Sequence, residues 1–184
     1  MNNLTTTDPQ EALRSTMEQL VAAMCERPDH ATVNLVPSSR RPVLVVKVNR
    51  CDYGAILGKY KSSLESLQLI ARCIGSRSRM DVDLMLDQDA VEDGSRRRNF
   101  IPAKDWDREP FEKLAELTLA ELFGSYQTDI QRTASSSSRL TVTVTDPAWA
   151  VGEETVGSLE RALETVFNCV GALQGQRITV EVVA

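Results

Sequence analysis

Histidines and paired cysteines, from which most metal and nucleophilic sites are built, are scarce in this chain of 184 residues. His30 is the only histidine, and the four cysteines, Cys25, Cys51, Cys73 and Cys169, lie far apart without a C-x-x-C pair. This spacing excludes the common zinc motifs and gives no sign of a disulfide framework. Each cysteine lies in or beside an apolar stretch, which favours small buried side chains over reactive thiols. We therefore expect no metal, no cofactor and a reducing cytoplasmic environment.

Long apolar runs and catalytic motifs are missing as well. No run of about 18 apolar residues occurs, and the N-terminal sequence MNNLTTTDPQEALRS lacks the basic start and apolar stretch of a signal peptide. We therefore expect neither membrane insertion nor secretion. The chain has no glycine-rich loop of the Walker or dinucleotide kind and no G-x-S-x-G. The sequence predicts a protein that is not an enzyme.

What the chain does contain is an ordinary globular composition with unevenly placed charge. It is 42% hydrophobic and 26% charged, which is enough for one or two small cores. The net charge is −5, but residues 36–80 hold nine basic and two acidic side chains. That segment carries +7 and leaves −12 for the remainder. An acidic total argues weakly against a general nucleic-acid binder, whereas the local basic segment favours one.

The hydrophobic periodicity of residues 8–88 predicts one α-β-β-α-α-β unit. The helices are predicted at 9–27, 51–57 and 62–74, and the strands at 31–36, 43–49 and 80–87. Asp8 and Pro9 are typical of a helix start, and Gly75 is placed to end the third helix. Three aspartates alternate along the last strand, Asp81, Asp83 and Asp87. They could hold a divalent cation, but a solvated outer face is the favoured interpretation.

The same order begins again after a polar linker at 89–105, so residues 106–184 are predicted to form a second unit. Its helices are predicted at 110–123 and from 151 to about 170, ended by Gly124 and Gly171. Its strands are predicted at 126–131, 140–145 and 178–183, with a serine loop at 135–138.

Short sequence matches support a duplication. Ser-Leu-Glu at 63–65 recurs at 158–160, an offset of 95, and Cys-Ile-Gly at 73–75 recurs as Cys-Val-Gly at 169–171, an offset of 96. We therefore predict an α+β protein of two tandem α-β-β-α-α-β units. Each unit would be a three-stranded sheet packed against three helices, and the units would pack together through helices.

This order, with a basic glycine loop between the last two helices, resembles the type II KH domain, and in size the small stand-alone bacterial KH proteins. The resemblance is found in the segment D-Y-G-A-I-L-G-K-Y-K-S-S-L-E-S-L, residues 52–67. It is similar to the family segment in which I-G-x-x-G precedes a helix. Leu57 and Gly58 take the place of Ile-Gly, Lys59 and Tyr60 are the variable pair, and Lys61 stands where the second glycine is expected.

The resemblance implies that this loop binds the sugar-phosphate backbone of single-stranded RNA, or of single-stranded DNA. A helix N-terminus offers unpaired N–H groups, and a glycine in the preceding turn allows a phosphate to approach closely. The expected nucleic-acid-binding residues are the clamp Gly58, Lys59, Tyr60 and Lys61 and the flanking residues Lys47, Arg50, Arg40 and Arg41.

Two departures leave an alternative open. At Lys61 either the loop geometry shifts or the lysine charge substitutes for close approach. The equivalent loop of the second unit, 152–156, contains Glu153 and Glu154, which would repel phosphate. No binding residue is assigned there, and a protein partner or self-association is expected for that unit. The alternative for the whole chain is a KH-derived protein-binding scaffold that has lost nucleic-acid binding.

Overall fold

The computed structural model describes residues 8–88, 108–146 and 153–183. The described helices are α1 Pro9–Ala23, α2 Tyr53–Leu57, α3 Ser62–Arg77, α4 Arg108–Phe123 and α5 Glu153–Ala172. The described strands are β1 Thr32–Val36, β2 Val43–Lys47, β3 Asp83–Leu86, β4 Tyr126–Ala134, β5 Ser137–Val144 and β6 Arg177–Val183. A short turn at Lys59–Lys61 joins α2 to α3. The predicted linker, 89–105, lies outside the described residues.

The strands form two three-stranded sheets of the same topology, ordered β1-β2-β3 and β4-β5-β6. In each sheet the first two strands are antiparallel and the third is parallel to the central strand. A parallel pair needs a crossover, and the helical segment between the two parallel strands provides it. The predicted mixed α+β fold with two three-stranded sheets is therefore confirmed.

The helix α1 shows how local sequence sets these elements. The Asp8 side chain accepts a hydrogen bond from the Gln10 N–H at 3.0 Å, and Pro9 occupies the first helical position. Apolar residues at a spacing of three and four then place Leu13 and Met17 in the core, both almost completely buried. The helix start expected from Asp8 and Pro9 is confirmed.

The aspartates of β3 are paired with cations. Asp83 accepts a hydrogen bond from Arg41 at 3.0 Å and one from Arg72 at 3.1 Å. Partial burial by itself raises the pKa of Asp83, but the hydrogen bonds from Arg72 and Leu84 and the charge of Arg41 bring it below the ordinary value. Asp87 lies 3.1 Å from the Lys47 ammonium. Among the described residues there is no group of side chains that could hold a metal ion.

The two units repeat in three dimensions as well as in sequence. The Met80 N–H donates to the Gly75 carbonyl at 2.8 Å, and 96 residues further on the Gln176 N–H donates to the Gly171 carbonyl at 2.8 Å. A Cβ on Gly75 would lie 2.9 Å from the Met80 oxygen, and one on Gly171 would lie 2.7 Å from the Gln176 oxygen. Close approach of the following turn therefore requires both glycines.

That geometry corrects two expectations. The glycines do not end their helices, because α3 continues to Arg77 and α5 to Ala172. Equivalent residues of the central strands and of the strands parallel to them differ by 96 in number, since Leu44 pairs with Leu84 and Leu140 pairs with Val180. The Cys-x-Gly match is in that register, whereas the Ser-Leu-Glu match lies one residue outside it.

The second unit departs from the predicted element order. Where the first unit has α2, a turn and α3, the described part of the second has the single helix α5 of 20 residues. The positions equivalent to Gly58–Lys61 are 154–157, and all four are helical. The predicted loop at 152–156 is therefore wrong for residues 153–156, and Gly152 lies outside the described residues. Among the described residues, a three-helix cover is found only on the first sheet.

Helices join the two units, as expected. The start of α3 meets the end of α5, where the Ser63 Oγ and the Cys169 Sγ are 3.5 Å apart. At the other end of α3, Arg77 forms an ion pair with Asp146 at 3.7 Å. Contacts also join α1 to α4. Two of these contacts join equivalent helices of the two units, α3 with α5 and α1 with α4.

The cysteines only partly fit their predicted burial. Cys25 is buried, and this burial, with Asp52 and Cys51 nearby, raises the pKa of its thiol to about 12. Cys51 is exposed, because it lies in the turn between β2 and α2, so its predicted burial is wrong. All four are free thiols. Across the described segments, none of the helices has the length and apolarity required to cross a bilayer.

Candidate nucleic-acid interface

The turn between α2 and α3 has an unusual backbone. Gly58 has φ +71°, Tyr60 has φ +55° and Lys61 has φ +66°. Left-handed conformations are uncommon for residues with a side chain, and they cluster where a structure needs a particular shape. Lys61 thus takes the conformation that a glycine would supply. The loop geometry is formed without the second glycine, and the lysine charge is added at that point.

Gly58 lets this turn fold back onto the start of α3. A Cβ on Gly58 would lie 2.6 Å from the Ser63 nitrogen and 2.4 Å from the Ser63 Oγ. Ser63 is buried, so it cannot move away without disturbing the packing of α3 on α5. The glycine therefore holds the turn directly against the first helical residues of α3.

The side chains of the turn face solvent. Tyr60 is 87% exposed, the largest exposed fraction among the large hydrophobic side chains that the structure describes. The Lys59 ammonium lies 5.2 Å from the centre of the Tyr60 ring, within cation–π distance. Lys61 is exposed beside them. An exposed aromatic ring with exposed lysines on either side of it in the sequence combines two groups that a single strand can contact, a ring for stacking a base and cations for pairing a phosphate.

The N-terminus of α3 presents the third part of the arrangement. Lys61 occupies the cap position, and no side chain there hydrogen-bonds to the first turn. A helix N-terminus carries a partial positive charge and N–H groups that favour an anion. The turn and the helix start therefore form one positively charged surface, defined by Gly58, Lys59, Tyr60, Lys61 and the first turn of α3, and called here the loop surface.

Replacing Lys61 by glycine is expected to stabilise the protein, because the left-handed conformation costs a residue with a side chain about 1–2 kcal/mol and glycine much less. Part of this gain is lost to the larger backbone entropy of glycine in the unfolded chain. We expect the free energy of unfolding in urea to rise by up to ~1 kcal/mol. Ser62→Gly is the matched control, since Ser62 has φ −59° and should lose stability on the same change. A Lys61→Gly protein no more stable than the Ser62→Gly protein would contradict the strain.

The other predicted site residues are divided between the two ends of the sheet. Because α3 ends near the start of β3, its N-terminus lies at the end of β2 where Lys47 and Arg50 are found. Lys47 lies on the outer face of the sheet and Arg50 in the turn before α2. Arg40 and Arg41 lie at the opposite end, roughly 20 Å along β2 at about 3.3 Å per residue. Lys47 and Arg50 therefore lie at the same end of the sheet as the loop surface, and Arg40 and Arg41 lie at the other end.

Asp52, at the start of the helix that leads into the loop surface, is a buried residue that the sequence analysis did not single out. Its carboxylate is buried and accepts hydrogen bonds from the Glu26 N–H at 2.7 Å and the Arg27 N–H at 3.2 Å. These bonds connect the turn after α1 to the start of α2. The available signal was an acidic residue, one of two, inside the basic segment 36–80.

No protein-family model matches this chain, and no curated protein matches it.

Proposed function

We propose that the first unit, residues 8–88, is a KH-like module that binds single-stranded RNA through the loop surface, without catalysis. The observation that carries the proposal is the turn itself. Three residues with positive φ hold Lys59, Tyr60 and Lys61 outward at the start of α3. A phosphate would lie between the two ammonium groups and the N–H groups of α3, and a base would stack on Tyr60.

The flanking contacts follow the same geometry. Lys47, which is ion-paired with Asp87, and Arg50 lie at the end of the sheet that bears the loop surface, so they could extend the path of the RNA strand past α2. Arg41 is committed to Asp81 and Asp83 at the far end, at 3.7 and 3.0 Å. Arg40 and Arg41 are accordingly left out of the proposed binding surface.

Reversing the two loop charges should weaken binding strongly. We expect Lys59→Asp with Lys61→Asp to lower the affinity for a short uridine-rich single-stranded RNA by at least about tenfold at low salt, and to make the salt dependence of the dissociation constant shallower. Aspartate tolerates the left-handed conformation at position 61, so the fold should be retained. Fluorescence anisotropy at two salt concentrations measures both quantities.

The matched control reverses as much charge at the opposite end of the sheet. Arg40→Asp with Arg79→Asp changes the net charge equally, and Arg79 also has positive φ, +56°. This pair should lower the affinity only slightly and leave the salt slope nearly unchanged. Equal losses of RNA affinity in the two double variants would show that binding depends on the overall charge of the protein and not on the loop. No binding by the wild type at low salt would favour the alternative, a KH-derived protein-binding scaffold.

A further inference from the structure

The two sheets have four edge strands, and side chains of neighbouring helices protect three of them. On β1, the Glu18 carboxylate accepts from the Val33 N–H at 3.3 Å and Arg14 donates to the Val33 carbonyl at 3.2 Å. On β3, Gln68 donates to the Leu84 carbonyl at 2.9 Å. On β6, three helix side chains bind the outward backbone groups of Ile178, Val180 and Val182, namely Asn168, Glu164 and Glu160.

The fourth edge, β4, is open as far as the described residues go. The Thr145 N–H donates to the Ser125 carbonyl, which fixes the alternation of the β4–β5 ladder. Tyr126, Thr128, Ile130 and Arg132 therefore direct their N–H and C=O groups away from β5. Within the ranges that the structure describes, no hydrogen bond reaches these outward groups from another element. An open edge of nine residues is a template for another strand.

A substitution within the repeat explains why this edge differs from β1. By the pattern of buried residues, Arg14 and Glu18 of α1 correspond to Glu112 and Glu116 of α4, and Val33 corresponds to Thr128. In the second unit, the carboxylate of Glu112 thus stands where the guanidinium of Arg14 binds the β1 carbonyl in the first unit. In the second unit a shallow recess of about 140 Å³ lies there, lined by residues that include Arg108, Glu112, Glu116 and Thr128. Arg108 is ion-paired with Glu112, whereas Glu116 is the equivalent of Glu18, the partner of Arg14 in the first unit.

We propose that β4 pairs with β4 of a second copy of this chain, antiparallel, with Ile130 opposite the partner's Ile130. Only outward residues can form the new hydrogen-bonded pairs, so this register also sets Thr128 opposite the partner's Arg132. The guanidinium then reaches the recess beside Glu116, where it takes the place that Arg14 has beside Glu18 in the first unit. On the outer face, Asp129 lies opposite the partner's Gln131, an amide and a carboxylate that can hydrogen-bond.

Neighbouring registers are less favourable. Centring the pairing on Asp129 would set two carboxylates opposite each other. Centring it on Gln131 would place Ile130 opposite the partner's Arg132 and extend the ladder into the bulge between Arg132 and Ala134. In the single chain Arg132 donates to the Ala134 and Ser135 carbonyls, at 3.2 and 2.7 Å, from an exposed position on the edge.

The experiment is a measurement of molar mass by light scattering across a range of protein concentrations. Thr128→Pro removes one outward N–H and places a ring on the edge, while the ladder to β5 keeps its bonds. The wild type and Thr128→Ala are expected to be dimers, and Thr128→Pro should weaken association at least about tenfold with an unchanged circular dichroism spectrum. A monomeric wild type, or a Thr128→Pro protein that dimerises as the wild type does, would overturn the proposal.

A charge exchange tests the register. Arg132→Glu should weaken the dimer, since it brings another carboxylate to a recess already lined by Glu112, Glu116 and Asp129, and adding Glu116→Arg should restore it. Failure of the second change to restore association, while Thr128→Pro still disrupts it, would overturn this register. The changed residues belong to the second unit and the loop surface to the first, so RNA binding by a monomeric Thr128→Pro protein keeps the two proposals separate.

Discussion

Gly58→Ala is expected to destabilise the protein by about 3 kcal/mol and to remove most of its RNA affinity. Alanine at position 58 would have to adopt φ +71°, which costs a residue with a side chain about 1–2 kcal/mol. Its Cβ would also lie 2.6 Å from the Ser63 backbone nitrogen, where relief requires a shift of the turn or of α3. Overpacking of this kind costs about 1–3 kcal/mol. Urea denaturation measures the loss of stability, and anisotropy with single-stranded RNA measures the loss of affinity.

Gly54→Ala is the matched control for this prediction. Gly54 lies in α2, four residues before Gly58, and a Cβ there meets no atom within 4 Å. The same substitution should be neutral or stabilising by up to ~1 kcal/mol, because alanine is the better helix former. A Gly58→Ala protein as stable as Gly54→Ala would show that the turn relaxes freely. Retention of full RNA affinity would show that binding does not need the turn in this conformation.

The sequence was informative where a pattern repeats over many residues. The alternation of Leu44 and Val46 and the three-and-four spacing of Leu13 and Met17 depend on which face is buried, so they predicted β2 and α1 correctly. The duplication was visible because its glycine at 75 and 171 serves the same close contact in both units. These features depend on neighbouring residues in the sequence, or they occur in both units because the two units share one topology.

The details that shape the candidate site depend on contacts between distant segments. Nothing in the residue types of Tyr60 and Lys61 predicts a left-handed backbone, which accompanies the close approach of Gly58 to Ser63. The missing turn in the second unit was equally hidden, since 153–156 is compatible with either a loop or a helix start. The basic residues are divided between the two ends of the sheet. Predicting this division requires knowing the direction of α3, and a count of charges gives no information on that direction.

Asp52→Ala is the second change expected to have a large effect, a loss of about 3 kcal/mol in the free energy of unfolding. The carboxylate accepts hydrogen bonds from the Glu26 and Arg27 N–H groups, and its removal leaves both donors without this acceptor. A buried or part-buried donor left without a partner costs about 1–3 kcal/mol. Asp81→Ala is the matched control for the loss of one negative charge, because the Asp81 side chain is 75% exposed and its ion pair with Arg41 contributes little.

The same change connects the fold to the proposed binding site. Asp52 precedes α2 directly, and its carbonyl accepts from the Ala55 and Ile56 N–H groups, so it holds the start of that helix while its side chain holds the turn after α1. Since α2 leads into Gly58, a loosened start of α2 loosens the loop surface. We therefore expect Asp52→Ala to reduce RNA affinity under conditions where the protein is still folded, and Asp81→Ala to leave it unchanged. If stability falls while affinity does not, the loop surface is set by Gly58 and Ser63 alone. If stability does not fall, another group must satisfy both N–H donors.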